Sequence, residues 1–184
     1  MAPKLSGWRP EPAEAATKHF SYGLIRDKLR DATRDLRVEE QALFGMASDL
    51  RPFSSPRFDQ KDTNSCVAAS LVKALEIKRI QRYGRAAHVD LSVLEVYYLA
   101  RELESPDAAH DDNGSMIYLG AEVLRRFGVC TEAAWPFDVD RRTTSKVNVS
   151  PTWSAMRSAY THKITAWHRI DSIEDDRVAD CIVN

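Results

Sequence analysis

Apolar residues recur at helical spacing in several stretches of the chain, separated by Gly, Pro and polar runs. In residues 21–37, SYGLIRDKLRDATRDLR, Leu24, Ile25, Leu29, Ala32 and Leu36 share one stripe, which predicts an amphipathic helix packed on a main domain. A second helix is expected from near Ser65 to about Tyr83, stopped by Gly84. Its first turns, CVAASLVKAL, are apolar almost all round, as in a buried central helix, and beyond Glu76 it turns basic and should reach the surface. A third helix starts at Ser92, where Ser92 and Glu95 have the spacing of a capping box, and carries Val93, Val96, Tyr97 and Leu103. A fourth, roughly 116–127, ends at Gly128. A short helix near 152–160, a strand at 163–170 (KITAWHRI) and a last helix from Ser172 complete the pattern. Residues 1–20 read as a Pro-punctuated arm, and 50–63 and 105–115 as loops.

Composition narrows the function classes. The 184 residues are enough for one domain with an appendage or two small lobes, and 43% hydrophobic content can bury a core. Lys plus Arg number 26 against 27 Asp plus Glu, a balance that argues against nucleic acid as a general partner. No apolar run reaches the length of a membrane span or a signal peptide, so no membrane partner is expected. Cys66, Cys130 and Cys181 cannot all pair with one another, which favours a reducing, cytoplasmic location.

The chemistry concentrates in residues 59–70, DQKDTNSCVAAS, where Cys66 stands in the first turn of the helix, just after a loop. Helix N-terminal N–H groups and the macrodipole favour negative charge there, and the thiolate is the nucleophilic form of cysteine. The same N–H groups can hold the oxyanion that forms when a carbonyl is attacked, and Gln60 can add a side-chain N–H from the loop. The alternative is a small buried hydrophobe, the commonest fate of a free cysteine. Cys130 follows a helix C-terminus and Cys181 lies in an apolar context; neither has metal-ligand spacing. Asp111-Asp112-Asn113-Gly114 lacks the spacing and distal Glu of a calcium loop and reads as a solvated turn. No metal or cofactor is expected.

Gln60, five intervening residues and then Cys66-Val67-Ala68-Ala69-Ser70 resemble the active-site helix of the papain-like cysteine peptidases. Asp90-Leu91-Ser92 resembles that family's Leu-Ser helix start, and Asn113-Gly114-Ser115 its Asn-Gly-Gly substrate-binding strand. Gly128-Val129 and then Trp135-Pro136-Phe137 resemble its Tyr-Gly-Ile/Val…Tyr-Pro-Tyr stretch, and Asp49–Pro52 the opening of its bacterial branch. The blocks keep the family's order over residues 49–184. The resemblance implies an α+β fold, mainly the papain-like helical lobe with a buried central helix. It implies Cys66 as nucleophile, Gln60 in the oxyanion hole, and Asn64, Ser65, Asn113, Gly114 and Ser115 against a polypeptide substrate. Residues 1–48 would form an arm and amphipathic helix of prosegment type ahead of a peptidase domain at 49–184.

Departures from the family sharpen the expectation. Val67 stands where an aromatic residue is usual, Asn64 replaces a Gly, and the family's disulfide cysteines around the nucleophile loop and the Asn-Gly-Gly segment are absent. The family's general-base His lies about 130–150 residues after the Cys, or roughly position 196 to 216 here, whereas the sequence ends at Asn184. The barrel of the second lobe is therefore expected to be incomplete, with the His supplied by a second chain or a C-terminal segment. His19, His88, His110, His162 and His168 read as ordinary surface or core histidines. Two functions follow: a cysteine peptidase, or an inactive papain-like lobe serving as a binding module or pseudoenzyme. Another acyl-transfer enzyme, a transglutaminase or amidase, shares the helix-borne thiol but not the Gln60, Asn113-Gly114 and Pro136 blocks.

Overall fold

A computed structural model describes residues 9–12, 49–139 and 144–169. The chain divides into two compact units, Met1–Glu11 with Arg51–Trp167, and Pro12–Leu50 with His168–Asn184. The expected helices at 21–37 and from Ser172, together with His19 and Cys181, lie outside the described residues.

Four α-helices build the first unit: α1 Cys66–Tyr83, α2 Val93–Glu104, α3 Ile117–Arg126 and α4 Trp153–Ala159. Their positions follow the apolar periodicity and its stops. Gly84 ends α1 with its N–H on the Ile80 carbonyl (2.8 Å), and Thr152 caps α4 by accepting the Ala155 N–H. The expected capping box at α2 forms only by half. Ser92 Oγ accepts the Glu95 N–H (3.2 Å), but the Glu95 carboxylate turns inward and accepts the Cys130 N–H at 2.5 Å. Ser92 N–H goes instead to the Cys130 carbonyl, beside an antiparallel bridge between Leu91 and Thr131.

The core sits where α2 meets α1 and α3, around Val72, Leu94, Tyr97, Leu119, Val123 and Val129. α2 is the most completely buried of the four helices. Every residue from Val93 to Arg101 is buried, whereas α1 keeps Ser70 and Ala74 exposed. Gly120 of α3 lies close against α1: a Cβ there would fall 2.5 Å from Leu71 Cδ1. The far end of α1 does reach the surface, with Tyr83 exposed, but Glu76 is fully buried. It accepts the Leu91 N–H (2.9 Å) and pairs with Lys73 (2.7 Å), which neutralises a charge that could not be buried alone.

The strand expected at 163–170 is absent over 163–168. Its alternation has a different cause: Ile164 folds onto the core, with its N–H on the Leu124 carbonyl, and the Trp167 indole N–H reaches Glu122. No helix among the described residues is long and apolar enough to cross a membrane.

Candidate active site

The loop before α1 folds back on itself. Thr63 N–H and Thr63 Oγ1 both donate to the Gln60 carbonyl (3.2 and 2.7 Å), and Gln60 Nε2 donates to the Thr63 carbonyl (3.0 Å). A primary amide has two N–H donors, so this bond holds the Gln60 side chain and engages one of them. Lys61 sits between in the left-handed region (φ 53°), stapled by its N–H and Nζ to Asp59, both at 2.9 Å. Left-handed backbone costs a residue with a Cβ about 1–2 kcal/mol, and glycine in the unfolded chain gives back roughly 0.5–1. Lys61→Gly is therefore expected to leave the protein unchanged or raise its melting temperature by a few degrees, read by thermal denaturation. A clear drop would mean the Asp59 staple outweighs the strain.

Ser65 is wholly buried, its hydroxyl on Thr63 Oγ1 (2.8 Å), and it makes no side-chain cap to α1. Ser65 therefore supports the turn and does not present its side chain to a substrate. The consequence lies one residue on: the first N–H groups of α1 receive no side-chain cap from Ser65, and Cys66, half-buried, stands among them. Uncapped N–H groups at a helix start form an anion-binding arrangement.

Asn64 bridges to the second predicted segment. Its backbone N–H donates to Asp112 Oδ1 (3.0 Å) and its Nδ2 to the Asp112 carbonyl (2.6 Å). Tyr97, buried in α2, donates its hydroxyl to the same Asp112 Oδ1 (2.5 Å) and accepts the Gly114 N–H (3.0 Å). Burial, with the Asp112 hydrogen bond next, pushes the Tyr97 phenol far above its ordinary range, so it stays a donor. The solvated turn expected at Asp111–Gly114 is thus corrected: Asp112 is the knot that ties the Cys66 loop to Asn113-Gly114-Ser115. Two hydrogen bonds from Asn64 join the loops where the family's disulfide would be expected to.

Arg101, fully buried, holds this knot from behind. It stacks 4.0 Å from the Tyr97 ring centroid, donates Nε to the Tyr97 carbonyl (3.2 Å), Nη1 to the Asp111 carbonyl (2.5 Å) and Asn148 Oδ1 (3.0 Å), and Nη2 to the Val147 carbonyl. Sequence reading missed Arg101, because nothing local marks a charged residue whose acceptors, apart from the Tyr97 carbonyl, lie 10 to 47 positions away. Of the residues expected against a substrate, Asn113 is exposed, Gly114 is buried with φ 81°, and Ser115 is buried. The Ser115 carbonyl accepts the backbone N–H of Arg9 (3.1 Å), an arm residue the sequence gave no reason to place there.

The histidines of this unit are engaged elsewhere. His88 faces Asp90 (3.2 Å); His162 donates Nδ1–H to the Val129 carbonyl (3.0 Å), and burial lowers its pKa; His110 is exposed. The exposed His168 belongs to the second unit. Cys130 is fully buried, and burial and the Glu95 carboxylate push its thiol up, so it is inert as a nucleophile. Glu76, His88 and Asp90 bring potential metal-ligand atoms within 4.8 Å of one another. Lys73 already pairs with Glu76 at 2.7 Å and approaches Asp90 at 4.0 Å, so the cluster is compensated by a side chain of the protein.

The comparisons agree with this geometry. No protein-family model matches the chain. It is 29% identical over 131 residues to an uncharacterized peptidase C1-like protein of Acanthamoeba polyphaga mimivirus, covering 71% of this chain and 40% of that protein. It is similar in structure to xylellain, a cysteine protease from Xylella fastidiosa, with a TM-score of 0.70 and 26% identity, covering 98% of this chain and 64% of that one. The chain thus spans less than two thirds of the length of either relative. The helix-rich unit, with its thiol at the head of α1, is the papain-like helical lobe. By fold and by these likenesses, the chain is similar to the papain-like cysteine peptidases over their helical lobe.

Proposed function

We propose that the chain carries the nucleophile and oxyanion half of a cysteine-type peptidase site. Cys66 attacks the carbonyl carbon of a peptide bond as its thiol proton passes to an imidazole. The oxyanion accepts from the Cys66 backbone N–H and from the second N–H of Gln60. The C–N bond breaks as the imidazolium protonates the leaving amine, and water then releases the acid from the thioester and restores the thiol. Asn113–Ser115 would hold the substrate as an added strand. The bonding of His88 and His162 to other groups supports a histidine contributed by further polypeptide or a second chain. It equally favours the second reading, an inactive lobe that binds peptide. Residues 1–48 would act as a prosegment ahead of a domain at 49–184, a reading supported by the Arg9 bond to Ser115.

The observation that carries the proposal is Cys66 at the uncapped start of α1, with Gln60 fixed beside the same turn. A peptidyl chloromethyl ketone and chloroacetone share a warhead, so the ratio of their rates on Cys66 isolates peptide binding. With the native full chain, the peptidyl reagent is expected to label Cys66 roughly tenfold faster, equivalent to about 1.4 kcal/mol of binding. Cys130 should react only after denaturation, both read by peptide mapping with Cys66→Ser as blank. A Cys66 as protected as Cys130 would refute the nucleophile assignment. Strong peptide preference without turnover of any peptide, even with a complementary His-bearing chain added, would leave the binding module as the function.

A further inference from the structure

Arg9 makes two contacts at once. Its backbone N–H meets the Ser115 carbonyl at 3.1 Å, and its guanidinium meets Glu104 at the C-terminal end of α2, Nη1 on Oε1 at 2.9 Å and Nη2 on Oε2. The pairing is bidentate, the geometry in which a planar guanidinium recognises a carboxylate. Glu11 follows two residues later, close enough to α3 for its charge, with that of Glu104, to add to burial in raising the Tyr118 phenol. The arm at 9–12 has no secondary structure of its own and is held by the segment it crosses.

We infer that Glu104 is a specificity-determining carboxylate that selects a peptide with an arginine side chain at the residue paired with Ser115, and that Arg9 occupies that place in the resting chain. This rests on the reading of Asn113–Ser115 as the substrate segment. The argument is one of equivalent backbones. A substrate adding as a strand offers Ser115 the same N–H that Arg9 offers, and a side chain departing from the same Cα reaches the same carboxylate. A neutral side chain there would leave Glu104 without its cation; an acidic one would meet like charge. The arm is then a competitor written into the chain, and its release opens the site to basic peptides.

Three peptidyl chloromethyl ketones, with Arg at the first, second or third residue from the warhead and norleucine analogues to match, test this on the full chain. The readout is the second-order rate of Cys66 alkylation. The arm competes equally with both members of a pair, so their ratio reports Glu104 alone. One register is expected to show an Arg-over-norleucine ratio of about 10 that falls with added salt, as a partly exposed ion pair requires. Glu104→Gln should bring the ratio to near 1, and Glu104→Lys should favour a glutamyl probe over the arginyl one. Arg9→Ala should speed both members of each pair and keep their ratio. If peptidyl probes outpace chloroacetone but no register prefers Arg, or the preference survives Glu104→Gln, the Glu104 assignment is overturned and the peptidase reading stands. If peptidyl probes are no faster than chloroacetone in either the wild type or Arg9→Ala, the substrate-segment reading fails and takes this inference with it.

Discussion

Arg101→Ala is expected to lower stability by about 3–5 kcal/mol, among the largest losses a single substitution gives. The residue is fully buried, and its removal leaves the Val147 and Asp111 carbonyls and Asn148 Oδ1 without their guanidinium donor. It also takes a cation from the face of the Tyr97 ring. At roughly 2–4 °C per kcal/mol for a chain of this size, the melting temperature should fall by about 10 °C or more. Arg101→Lys should recover only part of this, because one ammonium cannot reach acceptors on three segments. The loss should also be directed. Amide exchange should accelerate at 111–115 and at 60–66, since Tyr97 and Asp112 join those loops through the same side chain. A stability loss with both loops still protected would show that the Asn64–Asp112 pair needs no support from Arg101.

This buried knot marks the limit of what the sequence discloses. Elements set by local pattern were legible: the span of α1 and its stop at Gly84, the Ser92 cap, the end of α3 before Gly128, and the short α4. The place of Cys66 at the start of α1, with Gln60 in the loop six residues before it, was legible for the same reason. The burial of charged residues was not legible, because charge ordinarily marks a solvated face. Glu76, Glu95 and Arg101 are all fully buried, and each bonds a partner farther along the chain: Leu91 N–H, Cys130 N–H and the Val147 carbonyl. No window of sequence holds both halves of such a pair. The same distance hid the role of Asn64, whose anchor lies 48 residues on, and the place of Arg9, whose ion-pair partner lies 95 residues on. The alternation at 163–168 misled in the opposite direction: Ile164 packs on the core, but Ala166 and His168, in phase with it, are exposed.

Gly128→Ala is expected to cost about 3 kcal/mol or more, and Gly84→Ala provides the measure of why. Both glycines have positive φ, 88° and 85°, so both substitutions carry the strain of a Cβ in that region, of order 1–3 kcal/mol. They differ in what the Cβ meets. At Gly84 nothing lies within 4 Å. At Gly128 the Cβ would fall 2.1 Å from the Ala159 carbonyl oxygen and 2.9 Å from its carbon, backbone atoms that no rotamer can move aside. That carbonyl accepts the Val129 N–H (3.1 Å), and His162 bonds the Val129 carbonyl, so the end of α3 and the end of α4 meet at this glycine. Opening the contact separates α4 from the core behind Val129 and the Leu91–Thr131 bridge. In chemical denaturation, Gly128→Ala should lose more stability than Gly84→Ala by about 2 kcal/mol, the difference reporting the steric contact alone. Cys130 offers an independent witness: sealed in the wild type, it should become open to iodoacetamide under native conditions in Gly128→Ala and stay closed in Gly84→Ala. Equal losses in the two variants would mean that α4 can shift at little cost, and that the close approach at Gly128 is incidental to the fold.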